Sequence, residues 1–264
     1  MPLTLAHPAV ILPLVRRLDR FVSPSALVIG SMSPDFAYIL PLPLARLQTH
    51  DPVALLWFCL PMGAAGYALF HLLLKPIAAR LLPTAIAARL PKSAFVGRLP
   101  CTPWAVVAPS ILIGAMSHLL LDSFTHRDGL VVQLLPILQT HIITVRGYRV
   151  HVFKVLQHTF SIIGLAMIWA WLRSWARRNP RLPDRPAPHV PPALRIACLI
   201  ALIALPAASG AIVGARAPAT AGRSVAMREI TRSFLKGGGT AFCATWITMG
   251  LLLRARRPND DFPR

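Results

Sequence analysis

Apolar residues along this chain come in blocks long enough to cross a bilayer, and basic residues fall between the blocks. Five blocks dominate, at about 53–74, 104–123, 152–172, 194–214 and 237–253. Each approaches the ~20 residues that a helix needs to span ~30 Å of hydrocarbon. Two weaker blocks precede them. Residues 3–15 (LTLAHPAVILPLV) are short for a span and interrupted by His7-Pro8 and Pro13, which predicts an interfacial helix. Because His7 precedes a proline, its backbone is expected to be extended. Residues 22–44 are apolar again, with Ser23-Pro24 as the helix start and a possible crossing beyond it. Pro34 removes a backbone donor and predicts a bend or break just before Asp35. Broken backbone at membrane depth is tolerated where it lines a cavity or is buried in protein. The pattern predicts an all-α fold, a polytopic transmembrane helical bundle of about 5–6 spans plus an interfacial or re-entrant N-terminal helix.

The segments between blocks set the organisation. Residues 75–103 carry Lys75, Arg80, Arg89, Lys92 and Arg98 and no acid. Between the third and fourth blocks lie Arg173, Arg177, Arg178, Arg181 and Arg185 against Asp184, in a Pro-rich stretch that reads as a linker. Three regions follow: 1–175 as the membrane domain carrying the candidate chemistry, 176–193 as a basic cytoplasmic linker, and 194–264 as two further transmembrane helices with a basic tail. The strongest basic regions, with Arg254, Arg256 and Arg257 at the tail, share one side, which the positive-inside rule makes cytoplasmic. The 124–151 and 215–236 segments then read as loops on the outer side, and the end of the 104–123 span faces outward. Residues 129–145, with Pro136 in the middle, read as a re-entrant or interfacial stretch.

Composition agrees. Of 264 residues 55% are hydrophobic and only 14% charged, against roughly 25% charged in a soluble domain. The 28 Lys+Arg against 9 Asp+Glu give +19, a charge that on a soluble chain would suggest nucleic acid. Placed between apolar blocks it points instead to anionic membrane lipids as the partner. Cys59, Cys101, Cys198 and Cys243 form no CxxC pair, so neither a disulfide framework nor a thiolate metal site is expected. The first residues lack the basic start of a removable signal peptide.

The candidate chemistry sits at Ser117-His118-Leu119-Leu120-Leu121-Asp122-Ser123-Phe124-Thr125-His126. Residues four apart share one helix face, so His118 and Asp122 can share a divalent metal or fix each other's protonation. A polar pair in a membrane segment marks a functional site by default, and its bland reading is a hydrogen bond tying two helices together. On a straight helix His126 would lie ~12 Å from His118, so it joins only if the helix ends near Phe124. Asp35, a carboxylate in an apolar stretch, needs a cation or metal to stay charged. His7, His50 and these groups can converge in one outward-facing pocket. His158 lies inside the third strong span, where it reads as a residue that supports the ligands from behind or packs the core. His71, His141, His151 and His189 carry no assigned role, and no Gly-x-Ser-x-Gly elbow occurs.

The start MPLTLAHPAV, the stretch SALVIGSMSPDFAYIL and the core GAMSHLLLDSFTHRDG, with FHLLLKP and KVLQHTFSIIG, resemble a bacterial membrane-protein family known as domain-of-unknown-function family 4184. The resemblance covers roughly residues 1–175 and implies a bacterial inner membrane location, with the C-terminus cytoplasmic from the charge pattern. More distantly the chain is similar to membrane-bound metal-dependent hydrolases related to zinc-dependent phospholipases. That likeness implies a metal site of His7, Asp35, His50, His118 and Asp122, although the usual His-Arg before Thr49-His50 is missing. Histidine and carboxylate ligands without thiolate suit Zn²⁺, with Mn²⁺ or Fe²⁺ also compatible. The implied activity is metal-dependent hydrolysis of a phosphoester or lipid-type substrate. An ion- or proton-coupled transporter and a non-catalytic scaffold binding anionic lipid are the other open classes.

Overall fold

The computed structural model describes residues 3–18, 21–40, 44, 46–145, 148–181, 190–215 and 223–255. A 3-10 turn at Thr4–Ala6 runs into α1 (Pro8–Arg17). Helix α2 (Pro24–Gly30) starts where Ser23 is extended (φ −90°, ψ 110°), as the Ser-Pro pair implied. Among the described residues four helices are long and apolar enough to cross a membrane: α3 (Leu55–Leu81), α4 (Trp104–Ser123), α5 (Val152–Arg178) and α6 (Pro192–Ala215), the last over Pro192–Val213. The fifth apolar block, 237–253, lies in the 33-residue α7 (Arg223–Ala255), which is not among those four. The protein is a helical membrane protein with a shorter apolar helix at its N-terminus.

Helix α3 is wound as π-helix at Leu55–Cys59 and Phe70–Leu74. Each stretch ends just before a proline, Pro61 or Pro76. A proline ring clashes with the carbonyl four residues back, and a widened turn relieves that clash without ending the helix.

Three expectations change. Residues 22–44 do not cross as one helix: α2 ends at Gly30, a 3-10 turn follows at Ser33–Asp35, and a short helix spans Phe36–Ile39. Pro34 breaks the helix as expected. Residues 124–151 hold a short helix (Leu130–Leu134), a 3-10 turn (Pro136–Gln139) and an antiparallel hairpin of β1 (His141–Val145) and β2 (Tyr148–His151). The β-branched run Ile142-Ile143-Thr144-Val145 favours that strand. Residues 223–236 are helix rather than loop, since no Gly or Pro interrupts RSVAMREITRSFLK. Residues 182–189 of the proposed linker and 256–264 of the tail lie outside the described residues.

Contacts divide the chain into two units. One comprises Met1–Ala37, Pro43–Tyr67 and Cys101–Arg177, and the other Tyr38–Leu42, Ala68–Pro100 and Arg178–Arg264. The first is built on two close approaches. A Cβ on Gly30 would lie 2.2 Å from the Ile111 carbonyl oxygen, and one on Gly114 would lie 2.3 Å from that of Leu27. Only hydrogen in place of side chains lets the α2 and α4 backbones touch there, as small residues do in membrane helix pairs. Likewise a Cβ on Gly164 of α5 would lie 2.8 Å from the Ala6 carbonyl oxygen. The residues beside these contacts, Ser31, His118 and His7, become the site.

The second unit packs Leu73, Ile77 and Leu81 against Cys198, Leu202 and Met249. Gly237 and Gly238 cost α7 about 1 kcal/mol each relative to alanine. They allow α6 to approach, so that Ser209 donates to the Gly237 carbonyl at 3.1 Å.

Candidate metal centre

Five side chains from four parts of the first unit meet at the end of α4. Helix α4 ends at Ser123, so its last turn presents His118 and Asp122 on one face, both buried. The 3-10 turn after α2 brings Asp35, 1% exposed. His7 enters from the junction of the first 3-10 turn with α1, and its backbone is helical (φ −58°, ψ −38°) instead of extended. Packing of Ala6 on Gly164 and burial of the ring override the proline's local bias. His50 follows the short helix Arg46–Thr49.

Hydrogen bonds decide which ring atoms face inward. His118 Nδ1 lies 2.8 Å from the Ser31 carbonyl and so donates to it, which leaves Nε2 with a lone pair. His50 Nδ1, 3.2 Å from the Arg46 carbonyl, is committed in the same way. The two Nε2 atoms then alternate with two carboxylate oxygens in a closed ring. His50 Nε2 is 3.4 Å from Asp35 Oδ1 and 3.4 Å from Asp122 Oδ2. His118 Nε2 is 3.7 Å from Asp35 Oδ1 and 3.6 Å from Asp122 Oδ2. These edges exceed ordinary hydrogen bonds. Edges of this length suit adjacent ligands on one ion bound at ~2.1 Å. His118 Nε2 and Asp35 Oδ1 are buried with no hydrogen-bond partner among the described residues. An orphaned imidazole nitrogen opposite an orphaned carboxylate oxygen is what a cation between them would satisfy. The ligand atoms of His7, Asp35 and His118, and those of His50, His118 and Asp122, group closely enough to hold an ion.

His7 stands beside this ring. It stacks on His118 with centroids 3.8 Å apart and planes 11° apart, and its Nε2 is 3.3 Å from the second Asp122 oxygen, Oδ1. His126 also reaches that oxygen, with Nδ1 at 3.4 Å, because the helix ends before it. Both its nitrogens are occupied, however. Nδ1 donates to the Asp122 carbonyl at 3.2 Å, and Nε2 accepts from Gln157 Nε2 at 3.3 Å. His126 therefore braces Asp122 from outside the ring. Gln157 is oriented by Lys154, which donates to its Oε1 at 2.7 Å. His158, the neighbouring residue, is exposed and does not reach the cluster.

Sequence reading missed Gln157, Arg46 and Thr4. Arg46 donates to Asp122 Oδ2 at 2.9 Å and bridges to the more exposed Asp128. Thr4 donates to Asp35 Oδ2 at 2.6 Å, which turns Oδ1 toward the ring. For Gln157 a signal existed: the buried Phe153, Gln157 and Gly164 of α5 fall on one helix face, and His158 lies ~100° away.

Burial alone would raise the Asp35 pKa, but His50 and His118 beside it outweigh that and hold the carboxyl below its usual range. Burial also opposes a charge on His50, yet the Asp122 and Asp35 carboxylates raise its pKa above the ordinary value. For His126 burial wins over the Asp122 carboxylate and lowers the pKa to about 4, so the ring is neutral near pH 7.

A family model described as Domain of unknown function (DUF4184) matches residues 1–250, well past the 1–175 over which the motifs are recognisable. No curated protein and no solved structure matches the chain.

Proposed function

The chain belongs to the DUF4184 family, whose description assigns no activity, and from that footing we propose that it is a membrane metalloprotein with hydrolase activity. The ion would be divalent, zinc by its donor set, held by Asp35, His50, His118 and Asp122 with His7 as a fifth donor. The observation that carries this reading is the closed ring of alternating nitrogen and oxygen atoms, with edges of 3.4–3.7 Å and two orphaned members. Two buried carboxylates in one ring repel each other unless positive charge lies between them, and a divalent ion would supply it in place of a protonated His50.

A divalent ion there supplies Lewis acidity, acidifying water and polarising an ester or phosphoryl oxygen. The chain's own residues do the rest. Ser31 fixes the His118 tautomer, and Thr4 and the His126–Gln157 arm hold the two carboxylates. Arg46, at the outer side of Asp122 and 20% exposed, is placed to meet an anionic substrate oxygen. We assign a phosphoester or other ester of a membrane-derived molecule as substrate, and the bacterial inner membrane, with a cytoplasmic C-terminus, as location. The Arg-rich segments between spans and the membrane setting support this assignment.

The test is hydrolysis of a bacterial lipid extract by metal-loaded protein in detergent, following released phosphate and fatty acid. Product from wild type and none from His118→Ala is the expected result. Equal product from both refutes the proposal.

A further inference from the structure

Residues 124–151 present an apolar surface that no described residue of the first unit covers. In the short helix and hairpin, Leu130 is 65% exposed, Leu134 68%, Ile137 69%, Ile142 54%, Ile143 54% and Val145 52%. The segment is nonetheless anchored. Val132, Leu138 and Phe153 form a small buried core with Val131, Val152 and Leu156, seating it on the first turn of α5. The exposed side chains are thus displayed from a fixed platform.

Its place relative to the bilayer follows from connectivity. It begins where α4 ends at Ser123 and ends where α5 begins at Val152, so both ends are tied to the same membrane face. Its depth follows from the backbone. A two-stranded hairpin leaves open sheet edges, which hydrocarbon does not tolerate. In water the same hairpin would be marginal and would expose its whole apolar set. The boundary between headgroups and acyl chains satisfies both constraints. Charge agrees: residues 129–151 contain no acid, and the exposed Arg127 and Arg149 flank the apolar set.

We propose that the short helix and hairpin form a lipid-seated platform, with Leu134, Ile137, Ile142 and Ile143 in the upper acyl region of one leaflet and Arg149 at the anionic headgroups. The turn bearing His126 and Asp128 directly precedes this platform, which puts the mouth of the Asp122 cluster at the level of lipid headgroups. The platform does not depend on a metal being bound.

The test uses the full chain in nanodiscs of phosphatidylethanolamine and phosphatidylglycerol. A nitroxide is attached at Leu134→Cys or Ile143→Cys in a Cys101→Ser/Cys243→Ser background, with Ile163→Cys on α5 as the lipid-facing reference. Power saturation compares accessibility to oxygen, which concentrates in lipid, with that to a water-soluble nickel chelate. The proposal expects oxygen accessibility several-fold above nickel at both labels, with a depth shallower than at residue 163. Nickel accessibility above oxygen puts the hairpin in water and overturns it. Low accessibility to both reagents means that protein covers the surface and also overturns it. The two labels lie on separate elements, so a misfolded variant of one leaves the other decisive.

Discussion

Gly114→Ala should break the site without touching a ligand. The added Cβ would stand 2.3 Å from the Leu27 carbonyl oxygen and 2.7 Å from the Ser31 nitrogen, where real Cβ contacts lie at 3.0 Å or beyond. Helices α2 and α4 must therefore part by at least 0.7 Å, since the clash is with backbone that cannot rotate away. The His118 Nδ1 to Ser31 carbonyl bond, now 2.8 Å, spans the same gap and would stretch to ~3.5 Å, the limit of a hydrogen bond. Overpacking of this kind costs about 1–3 kcal/mol, and the lost buried bond about 1 kcal/mol more. Stability should fall by about 2–4 kcal/mol, and Asp35, carried on the α2 side, would leave ligand distance of His118. Thermal unfolding in detergent, followed by circular dichroism, reads the first effect, and metal content by mass spectrometry the second. A Gly114→Ala protein with wild-type Tm and full metal would refute the claim that this contact positions the centre.

Other expectations follow from the same geometry. Gln157→Leu removes the donor to His126 while keeping helix and volume, so metal affinity should drop about 10–100-fold with little change in secondary structure, whereas His158→Ala should change neither. An unchanged affinity for Gln157→Leu in a competition titration with a chromophoric chelator would remove the bracing role. The raised pKa of His50 means that the metal-free site keeps a proton there to higher pH than an ordinary histidine does, and the ion must displace it. Affinity should therefore be greatest above that pKa and weaken by up to about tenfold per pH unit below it. A pH-independent affinity between pH 6 and 8 would contradict this. Metal at a thousandfold excess over Kd should stabilise the fold by about 4 kcal/mol, and chelation should reverse the gain. A chelator that leaves Tm unmoved would count against an ion at the centre.

What the sequence could reveal depended on how local the cause was. The His118–Asp122 pair was legible because a regular helix fixes i, i+4 geometry, and Asp35 because Pro34 must break a helix. The spans were legible from length and hydropathy. The hairpin was not, because Pro136 and a short apolar run fit an interfacial helix as well as a strand. The helical backbone of His7 was set by the Gly164–Ala6 contact across the chain, which local proline chemistry cannot foresee. Gln157 carries no titratable group, and only the helix phase that places it with Phe153 and Gly164 sets it apart from His158. The roles of Gly30 and Gly114 required knowing which two helices meet.

The most direct test of the centre is metal stoichiometry by mass spectrometry on detergent-purified protein, with wild type beside the His118→Ala/Asp122→Ala variant. The ring of His50, Asp35, His118 and Asp122 predicts close to one divalent ion per chain in wild type and almost none in the variant. Well-folded wild type that stays metal-free after repletion with zinc, manganese or iron would contradict it, and the cluster would then be a buried hydrogen-bonded ion-pair network centred on Arg46 and Asp122.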